Sequence, residues 1–153
     1  TTLDYLRVES ALMFYPYDMS QMYPFEHDPP GDTLWELGLD FTVSPGKTDF
    51  RGADAHARLK GKERFKIFGL LIDGDKPADM GDAVYAGGKK VGVITCAMVS
   101  TLTGKSMAIA RLDVPVAVHG TPLEVRGKSV KGKATAHTLP FDDADKKKRT
   151  AVG

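Results

Sequence analysis

Side chains able to do chemistry are few in this chain, and their spacing fails most familiar reactions. Gly104-Lys105-Ser106 could end a phosphate-binding loop, but Val99 stands where the first glycine of that loop is required, so no phosphate cradle forms. No Gly-x-Gly-x-x-Gly run is present. His27, His56, His119 and His137 have no metal-ligand spacing, and a single cysteine cannot complete a zinc site with them, so no metal is expected. His137 follows a basic strand and has the chemistry of a proton carrier, although a surface histidine is the plainer reading. Cys96 lies in the apolar run Val93-Ile94-Thr95-Cys96-Ala97-Met98-Val99 with no cation beside it to form a thiolate, so it reads as a small core residue.

The elements that must position any site fall into two regimes. Residues 1–60 are irregular and aromatic-rich, with Tyr5, Tyr15, Tyr17 and Tyr23, and with Pro16, Pro24, Pro29 and Pro30 interrupting any long helix. A first helix is expected with Thr2 as its cap and with Leu3, Leu6 and Ser10 on one face. Leu39, Phe41 and Val43 alternate at period two and suggest a half-buried strand. Asp49 is expected to cap a short helix through Ala53, Ala55, Ala57 and Leu59 that Gly61 stops.

From Lys62 the pattern turns to strands. Phe65–Ile72, Val84-Tyr85 and Val91–Thr95 around Gly87-Gly88, Met107–Leu112, Leu123–Arg126 and Ser129–Leu139 give five or six short strands. Their spacing by Gly, Pro and Asp suggests a small closed barrel or a sandwich.

The 153 residues, 42% hydrophobic and 27% charged, suffice for a core without disulfides. A single cysteine excludes an internal disulfide framework and suits a reducing, cytoplasmic setting. No apolar run reaches the roughly 18 residues a spanning helix needs, and no basic-then-apolar leader marks secretion, so no membrane partner is expected. The net charge of +1 hides an uneven split, since residues 1–60 hold five Lys/Arg against ten Asp/Glu and residues 126–153 hold eight against three. Aromatic residues do not interleave the basic stretch, which argues against nucleic acid and leaves a solvated basic face or a seat for a small polyanion. Thr1 begins inside what already reads as structure, without Met, so the expectation is part of a longer polypeptide.

Five segments, in order, resemble one family. Leu6-Arg7-Val8-Glu9-Ser10-Ala11-Leu12-Met13-Phe14-Tyr15 followed by Asp18-Met19 resembles the Leu-Arg-x-Glu-x-Gly-x-x-x-Tyr-Gly-x-Asp-Met signature of the glycine-cleavage T-protein, or aminomethyltransferase, family. Thr33–Val43 is similar to its Thr-Pro-x-Glu-Ala-Gly-Leu-x-Trp-x-Val, and Asp49-Phe50-Arg51-Gly52-Ala53-Asp54-Ala55 to its Asp-Phe-x-Gly-x-x-Ala. Val91–Ala97 with Ser100 and Gly104–Ala110 resembles Ile-Gly-x-Val-Thr-Ser-Gly-x-x-Ser-Pro-Thr-Leu-Gly-Lys-x-Ile-Ala, and Leu139-Pro140-Phe141-Asp142 resembles Leu-Pro-Phe-Tyr-Asp. The chain departs from the pattern at Ala11 and Pro16, which replace glycines, at Cys96-Ala97 for Ser-Gly, at Thr101 for Pro, and in a longer loop from Gln21 to Asp32.

The resemblance implies a mainly β chain with short helices (α+β). Residues 1–60 would complete a folate-binding α+β domain, and residues 61–153 would form a small Greek-key-like β-barrel. It implies one-carbon transfer to tetrahydrofolate, from an aminomethyl group on a lipoyl carrier protein, or in relatives by demethylation of a small methylated compound such as a methylamine, dimethylsulfoniopropionate or an aryl ether. A non-catalytic folate-binding module is the remaining reading. By position the resemblance assigns folate contacts to Arg7, Glu9, Tyr15, Lys148 and Arg149. By the resemblance, the catalytic aspartate of the family is expected upstream of Thr1, so no catalytic residue is assigned.

Overall fold

In a computed structural model, residues 2–19 and 31–141 are described. His27, Lys148, Arg149 and most of the Gln21–Asp32 loop lie outside them.

Six strands, β1 (Phe65–Ile72), β2 (Ala83–Ala86), β3 (Lys89–Val99), β4 (Ser106–Asp113), β5 (Pro122–Arg126) and β6 (Lys131–His137), close into one barrel. The order around it is β1-β4-β3-β2-β5-β6 with every neighbour antiparallel, and the connections from β1 to β2 and from β4 to β5 cross over in the Greek-key manner. Gly87 and Gly88, with φ of 55° and 84°, make the tight β2–β3 turn that the paired glycines predict. Closure leaves the sheet no free edge.

Alternation along β4 explains its apolar reading. Ala108, Ala110 and Leu112 point into the barrel with Leu70, Ile94, Val84 and Val125, while Met107 and Ile109 point outward into a second cluster with Val8, Cys96 and Met98. The strand is buried on both faces because the N-terminal segment covers the barrel there.

The described residues of that segment form three helices, α1 (Thr2–Glu9), α2 (Leu34–Leu37) and α3 (Ala53–Leu59). Thr2 is the first helical residue of α1 rather than its cap, and the helix buries Arg7 and Val8 while Leu3 and Leu6 face out. Burial therefore follows what the barrel offers, an outward apolar patch for Val8 and a polar cluster for Arg7. The expected strand at Leu39–Val43 is instead a 3-10 turn at Asp40–Thr42, with Phe41 76% exposed. Thr33 and Glu36 form a capping box that starts α2, Gly38 ends it in the left-handed region, and the closed barrel offers no edge to pair with. α3 forms as expected, but it starts after Gly52 without a side-chain cap, so Asp49 does not serve. Among the described residues no helix is long and apolar enough to cross a membrane.

Candidate functional site: an arginine-bearing cleft beside the barrel

α1 ends in a helix-capping turn. Leu12 N–H returns to the Arg7 carbonyl (2.8 Å) and Ala11 N–H to that of Val8 (3.2 Å), which requires a left-handed residue at position 11. Ala11 takes that conformation, with φ of 57°, where the resembling motif has glycine. The turn sends the chain back over α1, so that Asp18 meets Arg7.

Asp18 is fully buried and filled by donors. Its Oδ2 accepts from Nη1 of Arg7 (2.7 Å) and from Phe14 N–H (2.7 Å), and its Oδ1 accepts from the Thr95 hydroxyl. The Asp18 carbonyl accepts from Nη1 of Arg111 (3.2 Å), whose Nη2 binds Asp32 (3.1 Å) and whose guanidinium lies 3.7 Å from the Phe65 ring centre. Nη1 of Arg7 also reaches the Leu12 carbonyl at 3.5 Å, and its Nε lies 3.9 Å from Asp4. Burial alone would lower the pKa of Arg7, but the Asp18 charge and hydrogen bond outweigh it and hold the guanidinium above its ordinary value. Burial pushes the Cys96 thiol up, with Arg7 opposing and Asp18 adding to the rise, so Cys96 stays a thiol.

Arg7 lines an open cleft of about 670 Å³ between α1, the Phe14–Tyr17 turn, the Pro77–Met80 loop and β3. Tyr5, Phe14, Tyr17, Met80 and Met98 supply its apolar surface, with Phe14 and Tyr17 stacked at 5.5 Å. Aromatic walls beside a forked cation suit a flat ligand bearing carbonyl or carboxylate acceptors.

Among the described residues singled out by position, Arg7 alone lines this cleft. Glu9 accepts from the Ser100 hydroxyl (2.8 Å) and pins the loop between β3 and β4. Tyr15 is 65% exposed, and its neighbours Phe14 and Tyr17 line the cleft instead. Lys148 and Arg149 lie outside the described residues.

The sequence reading missed Asp18, Thr95 and Arg111. Asp18 and Thr95 fall within the resembling motifs, but 77 positions separate them and no pattern in one sequence announces their contact. Arg111 sat in an apolar strand reading, and the barrel shows that its alternation turns it outward into the cluster.

Elsewhere the polar groups hold structure. Glu36, 1% exposed, takes Nε, Nη2 and the backbone N–H of Arg64 at 2.7, 3.0 and 3.1 Å and thereby ties α2 to β1. His56 stacks on Trp35, and the His119 and His137 rings meet edge to face at 4.6 Å. Among the described residues no group of three or more His, Cys, Asp or Glu could hold a metal ion.

The closed six-stranded barrel with helices on one flank places the chain among small antiparallel β-barrel domains. Residues 66–143 match the family of the glycine cleavage T-protein C-terminal barrel domain, and the chain belongs to that family. It is 65% identical over all 153 residues to the heme-dependent oxidative N-demethylase gamma subunit of Ectopseudomonas mendocina, covering 40% of that protein. It is 35% identical over 151 residues to the trimethylamine-oxide aldolase of Ruegeria pomeroyi, covering 95% of this chain and 18% of that one. An aminomethyltransferase of Thermotoga neapolitana is 35% identical over 129 residues, 83% of this chain and 32% of the relative. The fold is shared with the glycine cleavage system aminomethyltransferase T of Bartonella henselae, at a TM-score of 0.76 and 24% identity, over 90% of this chain and 37% of that one. The chain thus spans 40% or less of the length of these proteins.

Proposed function

We propose that this chain is the C-terminal part of a tetrahydrofolate-dependent one-carbon transferase. The observation that carries the reading is Arg7, held at the wall of an aromatic cleft against a barrel of the T-protein family. Residues 1–60 would complete the folate-binding body, and residues 61–153 would be the barrel that shapes the cleft. The seven large apolar side chains of residues 3–17 that face outward (Leu3, Tyr5, Leu6, Leu12, Phe14, Tyr15 and Tyr17) support a further body of the same polypeptide packing there.

When bound, tetrahydrofolate supplies the nucleophilic nitrogens that accept the one-carbon unit. The part of this chain is binding and orientation. Arg7 offers forked donors to the acceptors of the ligand, while Tyr5, Phe14 and Tyr17 exclude water from one wall. Glu9, Tyr15, Lys148 and Arg149 stay assigned by position only.

For the donor, 65% identity to an N-demethylase subunit favours demethylation of a small methylated amine over a lipoyl-bound aminomethyl group, and implies protein partners. The test is calorimetry with tetrahydrofolate on the polypeptide that carries this chain, wild type against Arg7→Ala, followed by transfer assays with formaldehyde and with an aminomethyl-lipoyl carrier. Binding that Arg7→Ala weakens, with capture of formaldehyde and no use of the carrier, supports the reading. Transfer from the carrier restores the aminomethyltransferase assignment, and no binding of folate overturns both.

A further inference from the structure

β3 is not a regular strand where it faces α1. Ile94 pairs with Ala110 and Cys96 with Ile109, so Thr95 is an extra residue with no partner across the ladder. A bulge of this kind re-aims a side chain out of the alternating pattern. Here it brings a fully buried threonine hydroxyl to Oδ1 of Asp18, within 3.2 Å of the Ile109 carbonyl as well. The other oxygen of Asp18 takes Arg7 and the Phe14 N–H, and the Asp18 backbone carbonyl takes Arg111. The carboxylate is therefore held from α1, the turn after it and β3, while β4 holds the Asp18 backbone through Arg111.

An arginine that must find a ligand from a free rotamer ensemble loses that freedom on binding. Arg7 has already lost it: Nη1 is bound to Asp18, and the charge of that pair is balanced within the protein. A guanidinium carries five N–H donors, so one arm can be spent on Asp18 while others face the ligand.

We propose that Asp18, seated by Thr95 at the β3 bulge, is a positioning residue that fixes the Arg7 guanidinium at the wall of the cleft for an acceptor group of the folate. This rests on the ligand reading given above. Asp18 acts on the ligand through Arg7, besides holding the Phe14 N–H of the cleft wall, and Thr95 acts through Asp18. The proposal thus differs from a clamp between the N-terminal segment and the barrel, which Arg111–Asp32 and Arg64–Glu36 already provide.

The test is a cycle of variants read by tetrahydrofolate affinity in calorimetry, with unfolding curves confirming that each is folded. Asp18→Asn and Thr95→Val are expected to weaken binding roughly 10- to 100-fold, as a misplaced binding group does. Thr95→Ser, which keeps the hydroxyl, restores most of the affinity. In an Arg7→Ala background Asp18→Asn costs nothing further. A full and additive loss from Asp18→Asn in that background overturns the proposal, as does folded Thr95→Val binding like wild type. Nitrogen-15 NMR of the guanidinium gives a readout without ligand: Arg7 shows separate, slowly exchanging Nη protons in wild type and averaged ones in Asp18→Asn. Averaged signals in wild type also overturn it. A wild type that fixes Arg7 by NMR yet binds no folate sinks the folate reading and leaves the positioning of Arg7 standing.

Discussion

Glu36→Gln is the perturbation whose size the structure fixes best. Burial would raise the pKa of this carboxyl, but the Arg64 side chain, the Thr33 and Arg64 backbone N–H groups and the Arg64 charge pull it down from 4.5 to about 2. At about 1.4 kcal/mol per tenfold, that fall corresponds to about 3 kcal/mol of stability. Removing one partner of a buried ion pair independently costs roughly 3–5 kcal/mol. Because the folded pKa lies below the unfolded one, the contribution is complete above about pH 4.5 and is lost as pH falls through about 2. At pH 3 about 2 kcal/mol of it should be gone. Urea unfolding at pH 7 and pH 3 measures this, followed by circular dichroism for the barrel and by fluorescence of Trp35, the single tryptophan, which sits next to Glu36 in α2. A loss of about 3 kcal/mol moves the midpoint by roughly 1–3 M. The reasoning is refuted if Glu36→Gln costs under about 1 kcal/mol at pH 7, or if its gap to wild type does not narrow at pH 3.

Three further outcomes are expected. Ala11→Gly should stabilise the chain by about 1 kcal/mol, because the left-handed backbone at position 11 strains a Cβ; thermal unfolding would show a higher midpoint, and no gain would mean the strain is absent. Gly92→Ala should cost more than about 2 kcal/mol, since its Cβ would lie 2.3 Å from the Arg111 carbonyl oxygen and 2.7 Å from Leu112 Cδ2, forcing β3 and β4 apart; a variant as stable as wild type in urea would contradict that packing. Ile109→Ala, emptying a fully buried position in the cluster that seats α1, should cost about 2–5 kcal/mol by denaturant unfolding, whereas an exposed apolar residue such as Phe41 should tolerate alanine within about 0.5 kcal/mol.

Sequence alone determined the strands, because they are short apolar-rich runs separated by Gly, Pro and Asp, and Gly87-Gly88 supplies the tight turn between β2 and β3. It also singled out Arg7 through a motif, and it marked Ala11 as a departure whose left-handed backbone now explains why glycine suits that place. Closure of the barrel was not legible in the strands taken singly, since β1 meets β4 and β6 rather than its chain neighbour. Nor was the fate of Leu39–Val43, where alternation promised a strand and a capping box with no edge to join produced turns. The environment of Arg7 was decided by tertiary structure alone. Asp18 lies 11 residues away from it and Thr95 a further 77, and they meet because a one-residue bulge turns Thr95 off the regular alternation. Periodicity records which face of an element is buried; which buried polar groups satisfy one another depends on how distant elements are brought together.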